Sequence, residues 1–245
     1  MTALLVFIFG LFVGSFLNVC IYRIYRKQSI VFPPSRCPDC GKRLGVSELV
    51  PVFSWLFQGG RCRGCHERIS WRYPVVELAT GVTYALLFAY FPGVDFIIQV
   101  FFYSILIIVF FIDLEHQIIP NRLVIVLLIY AVAIQVLRPV HSRPEALIGV
   151  AVGGGFLLLL AIVSKGGMGG GDVKLMLALG LWFGWQKTLL LMFLAFLGGG
   201  LLSIFLLATG IKKRKDGIAF GPFLIVAALI TTIWGRDILQ WYLGF

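Results

Sequence analysis

The 245-residue sequence predicts an all-α polytopic membrane protein, a bundle of about eight transmembrane helices with one small cytoplasmic domain inserted after the first. Three observations carry this expectation. Hydrophobic residues make up 60% of the chain against 13% charged, with mean hydropathy +0.97, far from soluble usage of roughly half apolar and about a quarter charged. The apolar residues come in long continuous runs; because backbone amides in a bilayer must be satisfied internally, such runs are spanning helices, and the alternation of barrel strands is absent. One polar loop, 23–73, is the only segment long enough to fold by itself.

Stretches of spanning length, about 17 to 25 residues, fall near 2–22, 74–91, 95–113, 121–137, 145–163, 187–210 and 218–235, and a shorter one near 173–185 makes eight. The glycine-rich start of that shorter span allows a tilted or partly re-entrant path. No basic residue precedes the first run, Arg23 being the first positive residue, which predicts a retained span with its start outside rather than a cleaved signal peptide. Threading from there puts 23–73, 114–122, 164–174 and 211–217 in the cytoplasm, and these segments hold 17 of the 21 lysines and arginines. The net charge of +10 therefore reads as topology, with membrane lipid as the surroundings and no nucleic-acid partner. Glycine triplets at 153–155 and 198–200 are expected to let helices approach closely. No internal repeat is assigned.

The loop 23–73 contains "RCPDC" and "GRCRGC". Cys37, Cys40, Cys62 and Cys65 read C-x2-C, 21 intervening residues, C-x2-C. That gap is a little wider than usual, but paired knuckles of this kind hold zinc tetrahedrally through four thiolates. Thiols stay reduced in the cytoplasm, so zinc is favoured over disulfides. Four ligands close the coordination shell, leaving no position for an activated water; the metal is structural and organises a small cytoplasmic zinc-binding domain that cannot build its own core. His66 reads as a solvent-facing neighbour of the last knuckle, and Cys20, in the first span, as a small packed apolar residue.

A charged Asp at the centre of a spanning helix costs about 2.5 to 3.5 kcal/mol on insertion scales, so acids beside apolar runs are functional suspects. Of the 11 acids, Asp39, Glu48 and Glu67 lie in the cysteine loop, Asp95, Glu145 and Asp237 at outer ends, and Asp216 in the last basic loop. Glu77, Asp113, Glu115 and Asp172 remain. Asp113 ends the third span in "FFIDLEHQIIPN" and Asp172 opens the sixth in "GGMGGGDVKL"; the threading brings both to the cytoplasmic membrane face. Two carboxylates brought close share a proton, one acting as general base toward water while the other protonates the carbonyl or leaving amine. That chemistry suits peptide hydrolysis without a covalent intermediate, and the glycines before Asp172 allow a substrate backbone to lie against the acids. Lys174 can hold a substrate carboxylate or snorkel to the interface. Taken singly, Asp172 also reads as a helix N-cap and Asp113 as an interfacial acid. Two rival classes are a transporter using the two acids as an ion or proton relay, which belongs nearer the bilayer midplane, and a membrane anchor whose zinc domain recruits partners.

Ordered motifs run the length of the chain: "GSFLNVCIYR", "PPSRCPDC", "GRCRGCHERISWRYPVVELATG", "DLEHQIIPN", "GMGGGDVKLMLALG", with G-x-G-D at Gly169 to Asp172, and "FGPFL" at 220–224. In these the chain resembles the type IV prepilin leader peptidases, the bacterial branch of the GxGD aspartyl proteases. The resemblance implies catalysis by Asp113 and Asp172, with Gly169, Gly171, Lys174, Gly221 and Pro222 on the substrate side. It implies removal of the short basic leader from type IV prepilins and pseudopilins, just after a glycine at the cytoplasmic face of the bacterial inner membrane. It also implies N-methylation of the new N-terminal residue by S-adenosylmethionine. No G-x-G-x-x-G turn is present, so a conventional Rossmann methyltransferase is excluded, and the candidates for that second site are Glu48, Arg68, Arg72 and Glu77. A dipole-stabilised position in the first turn after Pro74 explains Glu77 equally well. Asn18 is expected to tie helices together. Two positions depart from the family pattern: Asn121 stands where Asp is frequent after the Pro, and Ile24 and Tyr25 where Leu-Pro is frequent. The domain organisation expected is 1–22 as first helix, 23–73 as zinc domain and 74–245 as peptidase bundle.

Overall fold

The computed structural model describes residues 2–164, 167–213 and 217–243. Residues 165–166 of the glycine approach and 214–216 of the basic loop, Asp216 among them, lie outside the described residues. Among the described residues the chain is helical: α1 Thr2–Tyr25, α2 Phe53–Phe57, α3 Arg72–Tyr90, α4 Val94–His116, α5 Asn121–Leu137, α6 Arg143–Val163, α7 Gly170–Ala208 and α8 Gly221–Leu243, with a 3-10 turn at Val46–Glu48. Five of these, α1, α4, α6, α7 and α8, are long and apolar enough to cross a membrane, and α5 is a shorter apolar helix.

Two boundaries differ from the sequence expectation. The stretches expected as spans 173–185 and 187–210 form one 39-residue element, α7, in which Gly184 alone leaves helical geometry at φ 68 and ψ 174. A straight helix of that length would run about 58 Å, roughly twice the hydrocarbon thickness; the glycine divides it into arms 170–183 and 185–208. The last helix runs to Leu243 rather than ending near 235, because Ile238, Leu239 and Tyr242 keep apolar side chains at helical spacing beyond Arg236 and Asp237.

The chain divides into two compact units, 1–111 and 112–245. In the first, α1 packs on α3 through glycine. A Cβ on Gly10 would stand 2.7 Å from Cα of Gly81, and one on Gly14 would stand 2.7 Å from Cα of Glu77. Backbones this close exclude any side chain, the small-residue device that replaces the hydrophobic effect in lipid. Asn18 donates to the carbonyl of Tyr73 at 3.0 Å, so its amide joins α1 to the first turn of α3. Cys20 is buried beside it as a packed apolar group. The Tyr84 and Ser104 hydroxyls, 2.7 Å apart, link α3 to α4.

In the second unit α7 packs on α5, α6 and α8. Gly149 of α6 meets Gly180, whose carbonyl would lie 2.3 Å from an added Cβ, while Gly153 and Gly154 face Met176 and Leu177. The two expected triplets therefore act unequally: Gly153 and Gly154 enable close packing, Gly198 and Gly199 make ordinary contact with Phe223 of α8 and with Phe220 just before it, and Gly155 and Gly200 face open space. The start of α6 is fixed by Ser142, whose Oγ accepts the Glu145 N–H at 3.4 Å while its own N–H donates to Glu145 Oε2 at 3.1 Å.

Candidate functional site

Within the unit 112–245, three separated segments meet around two carboxyls. Asp113 lies in the last turn of α4 and Asp172 in the first turn of α7, only 5% and 8% exposed. The N-cap of α7 is Gly169, so the capping reading of Asp172 does not hold. Asp113 Oδ2 accepts the backbone N–H of Gly221, the first residue of α8, at 3.1 Å. The two carboxyls are close enough to interact electrostatically, and Asp172 Oδ1 is buried with no hydrogen-bond partner among the described residues.

Three glycines wall this pair. A Cβ on Gly221 would lie 2.6 Å from Asp113 Oδ2, and one on Gly169 would lie 2.8 Å from Asp172 Oδ2. A Cβ on Gly171 would lie 2.9 Å from Cβ of Ile119, whose Cδ1 would in turn stand 3.2 Å from a Cβ on Gly221. Ile119 thus touches the backbone beside both acids. Pro222 is buried in the first turn of α8, where its missing N–H removes no helical bond. Lys174 and Asn121 are exposed, and the ammonium donates to Asn121 Oδ1 at 3.0 Å, joining the first turn of α7 to the start of α5. Glu115 is exposed and lies 3.7 Å from His116.

Sequence reasoning passed over Ile119 and Gln117. Gln117 has φ 54 and donates its N–H to the Asp113 carbonyl at 2.8 Å, closing the end of α4. Its side-chain amide donates to the Gly217 carbonyl at 3.1 Å, on the approach to Gly221. Pro120, three residues on, was the available signal for that helix end; nothing in the pattern distinguishes Ile119 from a membrane-facing isoleucine.

The unit 1–111 holds the four cysteines. Their Sγ atoms all lie within 4.8 Å of one another, with Cys37–Cys65 at 3.9 Å and Cys40–Cys62 at 4.0 Å. Four sulfurs about 2.3 Å from a tetrahedral metal stand about 3.8 Å apart, so the cluster fits such an ion, and these separations rule out disulfides. The knuckles are built alike. Arg36 bridges Arg43 and Arg61 bridges Arg68, and the residue after each second cysteine, Gly41 or His66, is left-handed at φ 71 or 60. "RCPDCGKR" and "RCRGCHER" are thus a repeat that the sequence reading did not assign. Its signal was R-C-x2-C-x2-R recurring 25 residues apart. His66 is exposed, as expected, and the N–H groups of Cys65 and Gly64 hold the Cys62 thiol down to about 7, where thiolate is accessible for a metal.

The candidates for the second site each have partners of their own. Glu48 accepts the Gly45 N–H at 2.9 Å and the Lys42 ammonium at 3.2 Å, which hold it below the usual carboxylate range. Glu77 is buried and accepts the Val52 N–H at 2.7 Å. Because α3 begins at Arg72, Glu77 lies beyond the first turn, and the dipole explanation is replaced by this bond, which holds Val52 at φ 62. Arg68 lies in the second knuckle, and Arg72 stacks over the Tyr73 ring at 4.8 Å. The two acids are thus each held by a different backbone N–H group.

The chain is similar to known proteins over nearly its whole length. Residues 8–91 match the bacterial peptidase A24 N-terminal domain, and 100–204 match the type IV leader peptidase family. A prepilin leader peptidase/N-methyltransferase of Bacillus subtilis (strain 168) is 35% identical, over 98% of this chain and 97% of its own. Proteins of the same name from Aeromonas hydrophila and Pseudomonas aeruginosa are 34% and 33% identical, covering 98% and 96% of this chain and 93% and 91% of theirs. No solved structure matches the chain. With glycine-walled paired acids in one unit, a four-cysteine cluster in the other and relatives matched almost end to end, the chain belongs to the type IV leader peptidase family.

Proposed function

We propose that this chain is an intramembrane aspartyl endopeptidase that removes the basic leader from type IV prepilins and pseudopilins after a glycine at the cytoplasmic membrane face, and that it N-methylates the residue so exposed. The observation that carries the reading is the meeting of Asp113 and Asp172, both buried, in a chain whose relatives are named prepilin leader peptidase/N-methyltransferase. The relay alternative finds no support: the relatives are named as peptidases, and both acids stand in terminal turns of their helices rather than at mid-span.

One carboxyl of the pair carries a proton and the other does not. The carboxylate takes a proton from water as its oxygen adds to the scissile carbonyl carbon, and the protonated partner gives its proton to the carbonyl oxygen. Collapse of the tetrahedral diol then breaks the C–N bond, with the proton returned to the departing nitrogen. The Gly221 N–H orients Asp113, and the unpartnered Asp172 Oδ1 is the acceptor left for water or substrate. The bare backbone at Gly169 and Gly171 supports close approach of an unwound peptide.

Eight crossings follow if α3 and α5 span and the two arms of α7 count separately, with the N-terminus outside and the cysteine loop and both acids inside, by the basic residues of the inner segments. The cysteines would hold zinc as a structural ion that orders 23–73. Methylation would draw its methyl group from S-adenosylmethionine. Incubating the purified protein with a synthetic prepilin N-terminal segment and S-adenosylmethionine, read by mass spectrometry, tests both activities. We expect a cleaved and methylated product from wild type, and no cleavage by folded Asp113→Asn or Asp172→Asn; cleavage by either variant removes that acid from the mechanism.

A further inference from the structure

The end of the unit 112–245 remote from the acids holds a second constellation. Gly184 interrupts α7 twelve residues beyond Asp172, about 18 Å along a helix. Around the break lies a cleft of about 290 Å³, lined by His141, Glu145, the 183–186 stretch, Lys187 and Arg236. Its walls come from the start of α6, the start of the 185–208 arm and the C-terminal part of α8.

Charge in this cleft is uncompensated. Lys187, half-buried, and Arg236, exposed, line the cleft together and repel one another, and neither has a hydrogen-bond or ion-pair partner among the described residues. The one lining acid, Glu145, already accepts the Ser142 N–H at 3.1 Å and makes no ion pair with either cation. The His141 ring rests against Gly184, its Cγ 3.2 Å from where a Cβ would stand. Burial and then the Lys187 ammonium keep His141 below the usual imidazole range, and its ring N–H is held by the Trp182 carbonyl. The helix dipole favours negative charge at a helix start, and two helices begin at this cleft. Two cations that line one cleft without an ion pair are the complement of one small oxyanion. The volume is at the lower limit of ordinary ligand pockets, about 300 Å³, too small for a nucleotide.

We propose that this cleft binds a single phosphate group through Lys187 and Arg236. Two sources share that chemistry, the headgroup of an anionic phospholipid and free inorganic phosphate. The setting favours the headgroup, since Trp185, Trp234 and Trp241 are exposed at this end of the unit and such rings mark the lipid–water interface.

The test uses the full-length protein in detergent micelles doped with phosphatidylglycerol or phosphatidylcholine at equal fractions, with retained lipid read by native mass spectrometry. We expect phosphatidylglycerol to be retained about tenfold over phosphatidylcholine, the effect of charge-assisted hydrogen bonds. Lys187→Gln and Arg236→Gln should each bring the two lipids close to parity, and Lys187→Arg should preserve the preference. Leader removal by the same preparations should be unchanged, which reads the catalytic proposal separately. In a parallel arm, inorganic phosphate is titrated against acylation of Lys187. Protection by phosphate without a lipid preference upholds the site with a soluble ligand. Equal retention of both lipids together with no protection overturns the proposal, as does an undiminished preference in the folded glutamine variants. Should Lys187→Gln fail to fold, the exposed Arg236→Gln decides alone.

Discussion

Gly221→Ala isolates the confinement of Asp113. The added methyl carbon would stand 2.6 Å from Asp113 Oδ2 and 3.2 Å from Ile119 Cδ1. Ordinary contact begins near 3.4 Å, so the carboxylate must retreat by about 0.8 Å. Starting from 3.1 Å, that retreat breaks the Gly221 N–H bond. A hydrogen bond to a charged group contributes about 1.5–3 kcal/mol, or roughly 10- to 150-fold in rate, and displacement of a reacting group by about 1 Å costs on the order of 100-fold. We therefore expect kcat for leader removal to fall about 100-fold with KM within about threefold, measured on a synthetic prepilin segment by mass spectrometry. Thermal unfolding of the same sample should report the loss of that buried bond, about 1.5–3 kcal/mol, with the variant still folded at the assay temperature. Gly200→Ala, which faces open space, is the control. If folded Gly221→Ala keeps more than about a third of wild-type kcat while Asp113→Asn is inactive, Gly221 does not fix the working position of Asp113.

Gly184→Ala should lower stability by about 2–3 kcal/mol in reversible denaturant titration, because φ 68 with ψ 174 belongs to glycine and the methyl would also press on His141 at 3.2 Å. Cys62→Ser should abolish the bound metal measured by elemental analysis, whereas His66→Gly should retain full metal content and unfold slightly later, relieving a left-handed position that costs a non-glycine residue about 1 kcal/mol. Retained metal in the serine variant would exclude a four-thiolate site. Lys174→Met removes the bond to Asn121; as both groups are exposed, it should change unfolding by less than about 1 kcal/mol, and a large loss of leader removal without a stability change would show the ammonium acting on substrate instead.

What was legible in the sequence was whatever repeats or contrasts locally. Asp113 and Asp172 stood out because ionisable groups beside apolar runs are rare, and the cysteines because thiol pairs at fixed spacing have few uses. Asn121–Leu137 was legible to the residue, bounded by Pro120 on one side and Arg138 on the other. The continuity of α7 was not, since one left-handed glycine can turn a helix without the polar loop that would separate two spans in a hydropathy pattern. The partner of Glu77 was equally hidden: a backbone N–H has no residue signature, and Val52 is a β-branched residue in a conformation its type disfavours. Gly221 was reached through resemblance to known proteins, and its physical role, a missing Cβ beside Asp113, needed coordinates.

Ile119 has a consequence of its own. An aliphatic residue serves as the gauge block between the backbones beside the two acids, its Cβ against Gly171 and its Cδ1 against Gly221. Trimming it to valine would take away only the outer methyl, slackening the Asp113 side while leaving the Asp172 side seated. The gap between the two carboxyls is in that sense machined in hydrocarbon, and it can be reset from the Asp113 flank alone.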